Sequence, residues 1–252
     1  MKRKSIGEGP SPLVCTPLVG ATEEDLLAEL AAVLPKAPDA IEWRADFYSA
    51  LGDTRAVVAM AKRIEAMAPE CALIFTIRSH REGGQPTRIS DGEAIEIDEA
   101  VCGQTGFGYV DCELSAEAGS ILRLRDAAHA RGVKIIASYH NFDRTPERDF
   151  LVGKFLEAER LGLDVAKVAV MPKGMDDVLV LLQATLEGKK LVSLPLITMS
   201  MGGYGAISRL VGGVFGSSLS FAVGRNASAP GQVPIEDLRT ALAIVEASRG
   251  AK

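Results

Sequence analysis

The chain has 252 residues, of which 47 % are hydrophobic and 24 % charged. That balance belongs to folded globular chains and excludes a disordered polymer, a collagen and a coiled coil. A net charge of −5 argues against a general binder of the nucleic-acid backbone, and aromatics at 5 % leave aliphatic side chains to build the core.

The basic start Met1-Lys2-Arg3-Lys4-Ser5 runs into Gly-Glu-Gly-Pro-Ser-Pro rather than an apolar stretch, so no secretion signal is expected. No apolar run approaches the roughly 18 residues that span a bilayer, so no membrane partner is expected either. Residues 1–12 read as an N-terminal extension. Strands are then predicted at Leu13–Val19, Ala40–Phe47, Cys71–Arg78, Tyr109–Leu114, Lys134–His140, Val165–Met171, Leu194–Met201 and Leu219–Val223. Their starts lie about 25 to 40 residues apart, the size of one βα unit. Runs such as Leu73-Ile74-Phe75 and Val168-Ala169-Val170 are apolar on both parities, as strands covered on both faces must be.

Helix signals fill the intervals. Thr22 with Glu23, Glu24 and Asp25 opens the first helix, and Ser115 opens one that stops at Gly132. Thr145-Pro146-Glu147 supplies an N-cap and a proline at the first helical position; Phe150, Leu151, Lys154, Phe155, Ala158 and Leu161 recur at helical spacing before Gly162. Pro234-Ile235-Glu236-Asp237 opens the last helix, with Leu238, Leu242 and Val245 facing the core. Strict alternation allows a closed (β/α)8 TIM barrel or an open doubly wound sheet. No G-x-G-x-x-G follows the first strand, which weakens the dinucleotide-binding version of the open sheet. No Gly/Pro/Ser linker divides residues 1–252, so a single domain is expected. Cys15, Cys71, Cys102 and Cys112 lack C-x-x-C spacing and read as buried, reduced thiols in a cytoplasmic protein.

Polar side chains interrupt these apolar strands on one parity. Glu42, Arg44 and Asp46 share a side, as do Thr76 with Arg78, Asp111 with Glu113, and Ser138 with His140, while Lys167 lies between Val165 and Ala169. If the other parity packs on helices, all of them project into one barrel interior, mostly at the C-terminal strand ends where barrel enzymes keep their chemistry. Structural ion pairs and a catalytic set are both open readings. Lys167 is the sharpest case, because lysine is almost never buried unless paired. A nucleophilic lysine must be uncharged, which needs a shift of roughly three pKa units, about 4 kcal/mol. Apolar neighbours, with Arg44, Arg78 and Arg209 as like charges, would push that way. His140 follows on the neighbouring strand; His80 and His129 read as surface groups. Gly202-Gly203-Tyr204-Gly205 and Gly212-Gly213 suit either a phosphate site or tight turns. Arg209 supplies a cation that could fork onto a carboxylate or phosphate, and Ala227-Ser228-Ala229-Pro230-Gly231-Gln232 has the composition of a lid.

Taken together these segments resemble type I 3-dehydroquinate dehydratase. The resemblance is carried by Glu42-Trp43-Arg44-Ala45-Asp46, Thr76-Ile77-Arg78 with Glu82-Gly83-Gly84, Asp111-Cys112-Glu113-Leu114, Ser138-Tyr139-His140-Asn141-Phe142 and Lys167-Val168-Ala169-Val170-Met171-Pro172. It continues through Ser208-Arg209, Phe215-Gly216-Ser217 and Ser228-Ala229-Pro230-Gly231-Gln232, nearly the whole chain. It implies a (β/α)8 barrel that converts 3-dehydroquinate to 3-dehydroshikimate and water in the shikimate pathway. It also implies Lys167 as the imine-forming nucleophile, His140 as general base and acid, and Glu82 as the carboxylate that orients and charges His140. Arg209 would clamp the substrate carboxylate, Glu42, Arg44 and Arg78 would hold ring hydroxyls, and Ser228 and Gln232 would close over the substrate. No metal and no organic cofactor is implied, and a homodimer is. Two rivals stand beside it: a metal-dependent barrel using Glu42, Asp111, Glu113 and His140, and a non-catalytic sugar-acid sensor. A class I aldolase shares the imine chemistry.

Overall fold

Short runs that are apolar on both parities must be covered on both faces. The computed structural model, which describes residues 3–9 and 11–250, meets that requirement by rolling the strands into a ring. Strands β1 (Leu13–Leu18), β2 (Ala40–Arg44), β3 (Ala72–Thr76), β4 (Tyr109–Glu113), β5 (Lys134–Asn141), β6 (Val165–Val170), β7 (Leu196–Ser200) and β8 (Leu219–Val223) lie parallel in the order β7-β6-β5-β4-β3-β2-β1-β8. β1 pairs with both β2 and β8, and the β7–β8 seam is joined at Leu196 and Ser217, where Ser218 N donates to Leu196 O at 2.7 Å. The helices α1 (Glu23–Val33), α2 (Thr54–Met67), α3 (Asp91–Gln104), α4 (Ala118–His129), α5 (Arg148–Arg160), α6 (Met175–Leu191), α7 (Gly202–Phe215) and α8 (Ile235–Gly250) alternate with them. This is an α/β fold of the (β/α)8 TIM-barrel type. Among the described residues no helix is long and apolar enough to cross a membrane.

The two parities part into two cores. Outward-facing Trp43, Phe75 and Phe107 stack edge to face at 5.4 and 6.1 Å and pack with helix residues such as Ile64 and Val101. Inward-facing Cys15, Ala40, Ala72, Ile74, Val165 and Ile197 fill the foot of the barrel. Ile6 of the N-terminal extension, buried there with them, is fixed by its backbone N–H donating to Tyr109 Oη at 2.9 Å. With the foot filled, open space remains at the C-terminal strand ends. The four cysteines are free and buried, as expected.

Several boundaries differ from expectation for reasons that concern the site. β2 stops at Arg44 because Ala45–Phe47 forms a 3-10 turn, and β3 stops at Thr76. Asp46 and Arg78 therefore enter the interior from beyond their strands, not by strand parity. Ser115 and Thr145 are not helix caps. The N-caps are Glu117 and Glu147; Ser115 Oγ donates to Glu82 Oε1 at 2.7 Å and Thr145 Oγ1 to Met171 O at 3.2 Å. Thr22 does cap α1, accepting from Asp25 N at 3.1 Å. The Gly202–Gly205 stretch is the first turn of α7 rather than a loop, and at Gly205 a Cβ would collide with the Ser200 backbone, so glycine lets α7 sit directly on β7. A short strand β9 (Val233–Pro234), not expected, pairs with β8 after the loop of residues 224–232.

One buried group opposes the fold. Asp98 of α3 is 5 % exposed and its Oδ1 finds no donor among the described residues. Burial, with Asp111 and Glu99 nearby, holds its carboxyl well above the usual range. An acid whose pKa is raised by folding destabilises the native state progressively as pH climbs from the ordinary aspartate range through the folded value. Asp98→Asn should therefore raise the melting temperature at pH 7–8 by roughly 2–6 °C, and the gain should shrink toward pH 4. Calorimetry across that range checks it; equal melting temperatures at every pH would contradict it.

Candidate active site

A lysine that starts its strand's middle, with helices behind it, can only point inward. Lys167 of β6 is 4 % exposed. Its Nζ donates to Asp111 Oδ2 at 2.9 Å and to Glu42 Oε1 at 3.1 Å, and lies 5.0 Å from the Phe221 ring centroid. The surroundings are thus not the apolar ones its strand neighbours predict. Across the barrel stand two carboxylates, themselves held in place. Glu42 Oε1 accepts from Thr76 Oγ1 at 3.1 Å, and Asp111 Oδ1 accepts from Ser138 Oγ at 2.6 Å and pairs with Arg78 Nη2 at 2.7 Å. Burial alone would raise the Asp111 carboxyl, but Arg78 and Lys167 outweigh it and hold it below the usual carboxylate range.

His140 follows on β5, whose Ser138 is in register with Lys167. Its Nδ1 lies 2.9 Å from Glu82 Oε2, and its backbone N–H donates to the same oxygen at 2.9 Å. With Nδ1 committed, Nε2 is the ring nitrogen left for the pocket. Burial, reinforced by Arg78 and Lys167, holds the imidazole well below its ordinary pKa. Glu82 is thus placed to orient the ring, as expected, but burial opposes the charge that was expected to come with it. Burial and the neighbouring Glu113 raise the Glu82 carboxyl itself to about 7, against the opposing pull of Arg78. The 3-10 turn His80–Glu82 that delivers this carboxylate ends at Gly83, whose φ of +83° and contact with the Phe142 ring leave no room for a Cβ. His80 and His129 are exposed, as expected.

The three arginines differ in their partners. Arg44 forks onto Asp46, with Nε–Oδ1 and Nη2–Oδ2 both 2.8 Å, and stacks on Phe47. Arg78 is ion-paired with Asp111 through Nη2 at 2.7 Å, and its Nη1 donates to Glu113 Oε1 and Ser138 Oγ, both at 2.9 Å. Arg209, 2 % exposed, meets no carboxylate among the described residues: Nη1 reaches Met199 Sδ at 3.7 Å and Nη2 donates to Pro230 O at 3.1 Å, while Nε has no acceptor among them. Burial lowers its pKa to about 10. Such a cation is poised for an incoming anion.

Of the residues singled out from the sequence, Glu42, Arg44, Arg78, Glu82, His140, Lys167, Ser228 and Gln232 line one pocket. Asp46, Asp111 and Glu113 lie behind that lining, bound to Arg44, Arg78 and Lys167, and Arg209 stands behind Met199 and the loop. Ser228 and Gln232 bind each other at the rim, Gln232 Nε2 donating to Ser228 Oγ at 3.2 Å. Sequence reading missed Phe221, Met199 and Phe142 as walls of this pocket. Phe221 shares the inward parity of β8 with Leu219, a signal that was available; Phe142 comes from a loop and carried none. Glu42, Asp111, Glu113 and His140 do not converge on one point, because hydroxyls, Lys167 and Arg78 occupy their oxygens. Among the described residues no group of three such side chains is arranged to hold a metal ion.

Comparison with known proteins agrees with this constellation. The family model for type I 3-dehydroquinase matches residues 14–249. A 3-dehydroquinate dehydratase of Albidiferax ferrireducens is 48 % identical over 97 % of this chain and 93 % of its own. The crystal structure of the Geobacillus kaustophilus 3-dehydroquinate dehydratase superposes with a TM-score of 0.94 at 45 % identity, covering 98 % of this chain and 95 % of that one. A type I enzyme of Clostridium difficile, solved with covalently modified comenic acid, gives 0.92 at 36 % identity, with 96 % and 95 % covered. The chain belongs to the type I 3-dehydroquinase family, lyases that dehydrate 3-dehydroquinate.

Proposed function

We propose that the chain dehydrates 3-dehydroquinate to 3-dehydroshikimate by syn elimination through an imine on Lys167. The observation that supports this most directly is the shared pocket: a buried amine and an imidazole held neutral, its Nδ1 already engaged. Lys167 reacts as the uncharged amine, so its contacts to Glu42 and Asp111 give way when the ketone arrives. Nζ adds to C3, water leaves, and the protonated imine draws electrons from C2. His140 Nε2 takes the C2 proton, giving an enamine. The enamine expels the C1 hydroxyl, which leaves as water with the proton returned by His140. A second water then hydrolyses the imine and frees Lys167. The lysine supplies the electron sink, so this route calls for no metal or organic cofactor.

The same pocket accounts for binding. Arg209, a buried cation without a counter-ion among the described residues, clamps the substrate carboxylate once Met199 and the loop admit it. Glu42, Arg44 and Arg78 meet the ring hydroxyls. Ser228 and Gln232 exchange their mutual hydrogen bonds for substrate. With four buried free thiols, the enzyme works in a reducing cytoplasm, as a step of the shikimate pathway. It does so as a homodimer whose contact face carries the exposed Leu179 and Leu186 of α6 and Ile207 and Val214 of α7.

Borohydride added with 3-dehydroquinate should leave a stable adduct on Lys167, read by peptide mass mapping. Lys167→Ala should lose both adduct and turnover, whereas His140→Ala should keep the adduct and lose turnover by about 10²- to 10⁴-fold. An adduct on another lysine, or intact turnover in Lys167→Ala, would overturn the mechanism. In the wild type, kcat/KM should fall as pH drops through about 7, where Glu82 takes up a proton and releases His140. That inflection should vanish in Glu82→Gln; its persistence would assign it to another group. Sedimentation equilibrium should give twice the 26.7 kDa chain mass, and Leu179→Asp should halve it; a monomeric wild type would dismiss the dimer.

A further inference from the structure

The loop after β8 is fastened at both ends, and one fastening has no part in the chemistry above. At its C-terminal limb, Pro230 O accepts from Gly202 N at 3.2 Å and from Arg209. At its N-terminal limb the anchor comes from α1, on the far side of the chain. Glu29 is 1 % exposed and lines no part of the pocket. Its Oε2 accepts from Val19 N at 2.7 Å and Gly20 N at 3.0 Å, the turn after β1, and its Oε1 accepts from Asn226 Nδ2 at 3.2 Å. Lys36, just beyond α1, adds a bond from Nζ to Gly224 O at 3.0 Å.

A buried carboxylate is costly unless its lone pairs are used. Here two backbone donors fix the carboxylate against the rigid β1–α1 turn, so its remaining oxygen presents a stationary acceptor to a loop. Asn226 precedes Ser228 by two residues, a span too short to slacken. We propose that Glu29 is a positioning residue for the reaction: by holding Asn226 it fixes the N-terminal limb of the 224–232 loop and so places Ser228 and Gln232 over the pocket. This rests on the reading that those two side chains contact the substrate. Burial raises the Glu29 carboxyl, with the Val19 and Gly20 N–H groups, Asn226 and Arg225 opposing, which fits a group kept in place by its donors rather than by solvent.

Asn226→Ala is the cleanest test, because it removes the latch and leaves the bonds of Glu29 to Val19 and Gly20 intact. Arg225 is exposed, so trypsin cleavage after it reports loop freedom without reference to activity. In Asn226→Ala that cleavage should quicken about fivefold and KM should rise about fivefold, with kcat within about twofold. Glu29→Gln keeps a carbonyl oxygen for the β1–α1 turn, and its amide can donate to Asn226 Oδ1 once the Asn226 side-chain amide turns over, so it should stay close to wild type in both. Adding Asn226→Ala to Glu29→Ala should raise KM no further. Unchanged cleavage and KM in Asn226→Ala overturn the proposal. Ser228→Ala separates the two readings: if it leaves KM unmoved, the substrate contact fails. A raised KM there beside an unmoved one in Asn226→Ala condemns the latch alone.

Discussion

A lysine ammonium inside a barrel of hydrocarbon is the constraint around which this structure is arranged. Removing a charge from water costs several kcal/mol unless partners replace the solvent. Lys167 meets that cost with Glu42 and Asp111, and each carboxylate draws in a further donor, Thr76, Ser138 or Arg78. Arg78 in turn requires Glu113. The result is a closed polar layer laid across the barrel, above an apolar foot that the N-terminal extension completes through Ile6. Every member is tied to at least one other strand, so the layer also sets the register in which the strands must meet.

That layer shapes the chemistry at the mouth. Burial, with Arg78 and Lys167 beneath it, disfavours charge on His140. The same burial raises Glu82 toward neutrality. Burial thus disfavours charge on both members of the pair, lowering the pKa of the imidazole and raising that of the carboxyl. Arg209 was left out of the network. It has no acidic partner among the described residues, and the loop that covers it is held at Pro230 on one limb and through Glu29 on the other.

Where sequence reading of local structure failed, the site had claimed the residue. Ser115 and Thr145 have the chemistry of helix caps, yet their hydroxyls go to Glu82 and to the end of β6. Asp46 and Arg78 were placed by strand parity, yet the strands end before them and turns carry them inward. The apolar neighbours of Lys167 suggested a dry pocket, because residues adjacent along a strand are all that a linear reading can see. Its actual partners lie on β2 and β4.

The linear pattern by itself determined the alternation of strands and helices, the inward parity of Glu42, Asp111, Ser138, His140 and Lys167, and the family resemblance. The alternation and the parity follow from spacings of two or of three to four residues, which chain geometry converts directly into direction; the resemblance rests on the residues of the motifs themselves. Tertiary structure alone decided which of those groups touch, that Lys167 is met by Glu42 and Asp111, that Arg209 has no acidic partner among the described residues, and that α1 reaches the loop after β8. Those contacts join positions far apart along the chain, and only the closing of the ring, with its stagger between strands, brings them within hydrogen-bonding distance.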